Sequence, residues 1–145
     1  VDPADQVYFE RVVRPLLDDP LVEYLGEVDD AGKAALLRGA AALLFSIDWP
    51  EPFGLIMIEA LACGTPVLAL GEGGVLDIVE HGRHGLLVDE PGVETLAAAI
   101  DKIQRMQFNL MDLRSRAEEF SAERFTTRLK GYLRPFWPES EGESS

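Results

Sequence analysis

Residues 51–67 read EPFGLIMIEALACGTPV. From Leu55 to Cys63 every side chain is apolar except Glu59, and a helix that is apolar all round is normally buried. Burying an unpaired carboxylate is costly, so Glu59 either faces an open cleft or binds a partner inside the protein. The ordinary alternative is that Glu59 lies on the solvated face of its helix. Glu59 is therefore the first candidate for a functional side chain.

Short apolar runs flank this helix at residues 42–46 and 65–70, and each predicts a buried strand. The order strand, loop, helix, strand indicates parallel strands joined by a crossover helix. Residues 85–88, GLLV, predict a further strand. The sequence therefore predicts an α/β fold, a Rossmann-like parallel sheet with flanking helices.

Ligands of such sheets bind beyond the carboxyl ends of the strands, where the loop 47–53 is expected. Gly54 allows the backbone to approach a ligand closely, and the first amides of the following helix favour an anion. Glu51 from the loop and Glu59 from the helix would then flank one ligand. A sugar joined through phosphate to a ribose fits this layout, because carboxylates accept hydrogen bonds from hydroxyl groups.

Several segments outside residues 51–67 extend this pattern. They are VEYLGEV at 22–28, GGV at 73–75, IVEHGR at 78–83, GLLV at 85–88 and FSAERF at 120–125. Together with the two glutamates, separated by seven residues, they make the chain resemble the group 1 (family 4) retaining glycosyltransferases of GT-B fold. The resemblance covers residues 7–133. Leu76-Asp77 and His84 depart from the family pattern, but both lie outside the core motif.

The resemblance implies a role for each matching position. The implied donor-binding residues are Val28, Glu51, Phe53, Gly54, Leu55, Glu59, Gly73 and Gly74. Glu51 would contact the donor sugar and is the implied catalytic residue, whereas Glu59 would bind the ribose hydroxyls. The backbone near Val28 would contact the base. The family implies a nucleotide-diphosphate sugar as donor and no bound metal, and Arg83 and Lys33 are local candidates to bind phosphate.

The family pattern also implies segments that this sequence lacks. These are the first two strands of the donor-binding domain, with their basic loop, and the acceptor-binding N-terminal domain. In the usual strand order the missing strands would lie between a predicted strand at 22–25 and the strand at 42–46. The sheet then has a central gap, pairs those two strands directly, or receives strands from another chain. Unpaired edges promote aggregation, so we expect poor stability in isolation.

The remaining residues predict supporting structure. A helix over 4–13 is expected to end or kink at Pro15. Further helices are predicted at 33–38, 94–106, from Asn109 to Phe120, and from Ser121 to near Pro135. The domain is expected to cover residues 1–137, with Trp137 at its end, and 138–145 to be a disordered acidic tail.

Composition narrows the range of partners and locations. The net charge of −13 disfavours nucleic acid and anionic membranes. No apolar run is long enough for a membrane span and nothing resembles a signal peptide, so a cytoplasmic location is expected. Cys63 is the single cysteine and is interpreted as a small core residue. His81 and His84 lack further ligands, which disfavours a metal site.

Three functions remain open at this point. The first is the donor-binding part of a glycosyltransferase that transfers a hexose with retention, inactive as a fragment. The second is another enzyme of the same fold, a nucleotide-sugar epimerase or a phosphorylase. The third is a non-catalytic remnant that binds nucleotide or another protein. The sugar, the base and the acceptor are not specified by these residues.

Overall fold

The computed structural model describes residues 3–47, 49 and 52–136, and it divides into two compact units, one up to Lys33 and one from Ala34. The second unit contains a parallel sheet of β1 (Leu43–Phe45), β2 (Val67–Leu70) and β3 (Gly85–Val88), which are adjacent in that order. The predicted α/β fold, a parallel sheet with flanking helices, is confirmed.

The central strand β2 is buried on both faces, as expected where helices cover a parallel sheet from both sides. Val67 and Ala69 pack in one cluster with residues of α4 (Leu55–Cys63) and α7 (Leu110–Glu118). Leu68 points the other way and packs with α6 (Val93–Ile103), because successive side chains of a strand alternate between faces. The two clusters form the core of this unit.

Helix α4 ends in a Schellman motif. Gly64 adopts a left-handed φ of 84°, and its N–H bonds the carbonyl of Leu61 at 2.9 Å. The N–H of Thr65 bonds the carbonyl of Ala60, also at 2.9 Å. The buried Thr65 hydroxyl donates to the carbonyl of Leu37, which joins this corner to α3 (Asp30–Gly39).

The other predicted helices of this region are present with small changes in their bounds. The Asn109 side chain accepts a hydrogen bond from the Met111 amide at 2.9 Å and begins α7. The Ser121 hydroxyl accepts from the Arg124 amide at 3.3 Å and begins α8 (Ala122–Leu133). A short helix, α5 (Val75–Ile78), lies between β2 and β3. Both predicted N-caps are therefore confirmed.

The first unit contains a helical segment that passes through Pro15. It consists of α1 (Pro3–Tyr8), a π-helical turn at Phe9–Val13 and α2 (Arg14–Leu17). Of the two predicted outcomes at Pro15, an end or a kink of the helix, the end is wrong. Pro15 falls within the first two positions of α2, where a missing N–H removes no necessary bond, and the π-turn shifts the hydrogen-bond register before it.

The predicted strand at 22–25 is also wrong. Those residues are irregular, and Val22, Tyr24 and Leu25 are exposed. An extended segment needs a neighbouring strand to satisfy its backbone, and none of the described strands pairs with it. Within the described residues β1 is therefore an edge strand, and Leu44 is 47% exposed. The predicted tail at 138–145 and Trp137 lie outside the described residues. Among the described helices, none has the length and hydropathy needed to cross a membrane.

Candidate functional site

The loops that follow β1 and β2 are in direct contact beyond the carboxyl ends of those strands. A Cβ atom placed on Gly74 would lie 2.5 Å from the carbonyl oxygen of Pro52 and 2.9 Å from the Cα of Phe53. The φ of Gly74 is −63°, which any residue can adopt, so glycine is required here for close packing. The structure therefore brings together two of the segments that the sequence selected, residues 53–55 and 73–74.

Gly54 forms the entry to α4 in a left-handed conformation with a φ of 75°. A residue with a side chain would be strained in that conformation. Having no side chain, Gly54 offers no side-chain cap to the first amides of α4, and Leu55 is largely exposed. The first N–H groups of a helix have no intrahelical partner, so the start of α4 presents donors toward the loops.

Glu59 is half-buried and lines a groove between α4 and α7 of about 380 Å³. The residues that line this groove are Ile58, Glu59, Ala62, Arg114, Ala117, Glu118, Phe120 and Ser121. Phe120 also meets the ring of Phe53 edge to face, with 5.9 Å between the ring centroids. The contact between Phe120 and Phe53 thus links the groove that Glu59 lines to the loop before α4.

Arg114 is a cation of this groove that sequence reasoning missed. It lies on α7, more than fifty positions from Glu59 along the chain, and nothing in its local sequence distinguishes it from other surface arginines. The basic residues that the sequence suggested as phosphate ligands, Arg83 and Lys33, form ion pairs with acidic side chains. Arg83 pairs with Glu80 at 3.4 Å and Asp112 at 3.5 Å, and these carboxylates raise its pKa.

Three other predicted positions lie in the first unit or outside the described residues. Lys33 forms an ion pair of 3.2 Å with Asp30 in the first unit. Val28 lies in the irregular segment before α3, also in the first unit, and its side chain is exposed. Glu51, the implied catalytic residue, lies outside the described residues.

Both histidines form hydrogen bonds with the backbone of nearby residues. The Nδ1 atom of His84 accepts a hydrogen bond from the Glu80 amide, and that of His81 accepts from the Leu87 amide, each at 3.2 Å. Burial, reinforced by the nearby guanidinium groups of Arg116 and Arg83, lowers the pKa of His84. Among the described residues no group of three or more His, Cys, Asp or Glu side chains is arranged to hold a metal ion.

Cys63 has the environment of a small core residue. It is half-buried against the cluster on the α4 side of the sheet, and its thiol lies 3.8 Å from the carbonyl oxygen of Ala34. This packing agrees with the interpretation made from the sequence.

Residues 16–124 match the family model described as glycosyl transferases group 1. A D-inositol 3-phosphate glycosyltransferase from Catenulispora acidiphila is 34% identical over 119 residues, which cover 82% of this chain and 28% of that protein. A phosphatidyl-myo-inositol mannosyltransferase from Mycobacterium leprae is 37% identical over 84 residues, which cover 58% of this chain and 22% of that protein. The chain thus matches about a quarter of the length of these relatives.

Two solved structures have a similar fold. Anabaena HepE, crystallised in complex with UDP and glucose, superposes with a TM-score of 0.73 at 27% identity, over 91% of this chain and 38% of that one. The sucrose-phosphate synthase from Thermosynechococcus elongatus superposes with a TM-score of 0.72 at 27% identity, over 93% of this chain and 36% of that one. By its sequence motifs, its parallel sheet and these matches, the chain belongs to the group 1 glycosyltransferase family.

Proposed function

We propose that this chain forms the donor-binding part of a longer glycosyltransferase, which transfers a hexose from a nucleotide-diphosphate sugar with retention of configuration. Relatives named as glycosyltransferases support the enzyme class, and the complex of HepE with UDP and glucose supports the donor class. The chain spans only a fraction of those proteins, so catalysis would also require an acceptor-binding domain. A cytoplasmic location and a reaction without a bound metal belong to the same proposal.

The proposal assigns the residues as follows. The start of α4, with the backbone of Phe53, Gly54 and Leu55, would bind the diphosphate and the sugar hydroxyls. Glu59 would accept hydrogen bonds from the ribose hydroxyls, and Gly73 and Gly74 would face the same ligand. Val28 would meet the base through its backbone, and Glu51 would contact the sugar as the catalytic residue.

One observation carries this assignment. The Gly74 backbone packs against Pro52 and Phe53, and Phe53 adjoins the groove that Glu59 lines. Glu59 follows Leu55 by four positions, about one helical turn, so the proposal assigns the first amides of α4 and this carboxylate to the same side of the helix. A nucleoside diphosphate needs this combination, because its phosphates favour helix N-termini and its ribose diol favours a carboxylate acceptor.

The test of the ribose assignment is a thermodynamic cycle, measured by calorimetry with the full-length gene product. A panel of nucleoside diphosphates first establishes the base. UDP, the nucleotide in the HepE complex, represents the nucleotide that binds, and it is compared with its 2′-deoxy and 3′-deoxy forms on the wild type and on Glu59→Gln. A hydrogen bond to a charged group contributes about 1.5–3 kcal/mol, so Glu59→Gln should weaken UDP about tenfold or more. It should weaken at least one deoxynucleotide much less, since the hydroxyl partner is already missing.

Glu94→Gln is the matched control, because Glu94 is an exposed glutamate in the first turn of α6. It should leave both affinities unchanged. Equal losses for UDP and both deoxynucleotides, or no loss at all, would remove the ribose role from Glu59. Turnover in EDTA tests the metal-free reaction, and NMR of the product anomer tests retention.

The alternatives predict different results in the same preparation. A nucleotide-sugar epimerase would convert the donor without an acceptor, and a phosphorylase would require inorganic phosphate. A non-catalytic remnant would bind nucleotide or another protein without turnover. Of these candidates, only a hexosyltransferase should consume the donor in proportion to the amount of acceptor that becomes glycosylated.

A further inference from the structure

Arg116 on α7 donates a hydrogen bond from each of its three guanidinium nitrogens inside the second unit. Its Nε donates to the carbonyl of Ile78 at 2.9 Å, and Nη2 donates to the carbonyl of Asp77 at 2.5 Å. Its Nη1 donates to the Glu119 carboxylate at 2.5 Å. The two carbonyls belong to the last residues of α5, so one planar side chain holds the end of that helix.

The same guanidinium also supports an aromatic pair. It lies over the ring of Phe120, with its carbon 5.1 Å from the ring centroid. Phe120 meets Phe53 edge to face, and the backbone of Phe53 packs against Gly74. A closed circuit of contacts results, in which Arg116 holds α5 directly and Phe53 through Phe120.

Helix α5 has only four residues and follows Gly74 directly. A helix of this length is unstable without tertiary contacts, because few hydrogen bonds offset the loss of backbone entropy. The last carbonyls of any helix lack intrahelical partners, and a cation is favourable beside them. The contacts of Arg116 with these carbonyls therefore hold the end of α5, three and four positions after Gly74.

From this circuit we propose that Arg116 is a positioning residue of the donor site, which keeps the turn at Gly73–Gly74 and the loop at Pro52–Gly54 in contact. The inference rests on the proposed function, since it assigns both loops to donor binding. Arg116 acts through the carbonyls of α5 and the ring of Phe120, and it reaches the donor only by way of these two loops.

The test measures the kinetics of Arg116→Lys and Arg116→Met in the full-length gene product. Lysine retains the charge but has no planar fork to bond both carbonyls, so both variants should raise the KM for the nucleotide sugar about tenfold. The KM for the acceptor should stay unchanged. A merely structural role predicts a different result. A smaller folded fraction would lower the apparent kcat and leave both KM values unchanged.

Two matched variants separate the contacts of Arg116. Glu119→Gln removes the ion-pair partner but keeps the carbonyl bonds, so it should leave the donor KM within about twofold. Arg105→Met replaces an exposed arginine and should change neither KM. A donor KM for Arg116→Lys equal to that of Arg105→Met would overturn the proposal.

Hydrogen exchange gives a readout that does not require nucleotide binding. Arg116→Lys is the variant measured, so the test remains possible if Arg116→Met fails to fold. Amides of residues 73–79 should exchange about tenfold faster in Arg116→Lys, while those of β2 stay protected. Unchanged exchange at residues 73–79 would refute the positioning role. A wild type that binds no nucleotide would instead refute the proposed function, while faster exchange in Arg116→Lys would still show that Arg116 positions the turn.

Discussion

Gly74→Ala tests the contact on which the candidate site depends. The added Cβ would lie 2.5 Å from the Pro52 carbonyl oxygen, whereas ordinary contacts begin at 3.4 Å, so this carbonyl must move by about 0.9 Å (3.4 minus 2.5). The neighbouring Phe53 Cα, at 2.9 Å, must move by about 0.5 Å (3.4 minus 2.9). The clash involves backbone, so rotation of a side chain cannot relieve it.

Two measurable losses follow from this displacement. Overpacking of this kind costs about 1–3 kcal/mol of unfolding free energy, which lowers the Tm of a domain of this size by roughly 2–12 °C. Donor turnover should fall by a larger factor than the loss of folded protein explains, because a misplacement of about 1 Å in a positioning loop costs on the order of 100-fold in rate. The Tm is measured by calorimetry and the turnover by steady-state kinetics at a temperature where the variant is fully folded.

Gly131→Ala is the matched control for this substitution. Gly131 lies inside α8 with a helical backbone, and a Cβ there would meet nothing within 4 Å. It should stabilise the protein by about 0.5–1 kcal/mol and leave turnover unchanged. If Gly74→Ala had the Tm and turnover of the wild type, the contact between the two loops would not exist as described, and the site built on it would be wrong.

Two further predictions concern the core and the pH dependence. Leu113→Ala removes a fully buried side chain and should cost about 2–5 kcal/mol in urea unfolding, whereas Met111→Ala on the exposed face of the same helix should cost less than about 0.5 kcal/mol. Burial holds the pKa of His84 below its ordinary value of about 6.5, so the unfolded chain takes up the proton first. Its stabilising contribution is therefore present above about pH 6.5 and lost as the pH falls from there toward the lower folded pKa. In urea unfolding at a series of pH values, the unfolding free energy of His84→Gln should fall less steeply with acid than that of the wild type. Identical slopes of unfolding free energy against pH would show that His84 is not the source of this loss.

The sequence was most informative where local chemistry determines structure. The apolar run at 42–46 and the helix from Leu55 to Cys63 follow from side-chain patterning. The caps at Asn109 and Ser121 are also local, since each side chain bonds an amide two or three residues further on. These are the features that the structure confirms.

The sequence was least informative where structure depends on distant partners. Arg116 bonds carbonyls almost forty positions away, and a helical arginine carries no local sign of such a partner. The segment at 22–25 has the composition of a strand, but a strand exists only where another strand bonds to it. Neither the groove beside Glu59 nor the contact between the loops follows from patterning alone, because the groove requires the packing of α7 against α4 and the loop contact requires the pairing of β1 with β2.

The buried strand β2 has a consequence for how this family can diverge. Val67 packs toward one layer of helices and Leu68 toward the other, so two consecutive residues share one backbone but belong to different cores. A larger side chain on either face would displace the common strand and disturb the opposite layer as well. Sequence drift is therefore expected to be slow along β2 and faster on the outward faces of the surrounding helices, where a change in volume affects one layer at most.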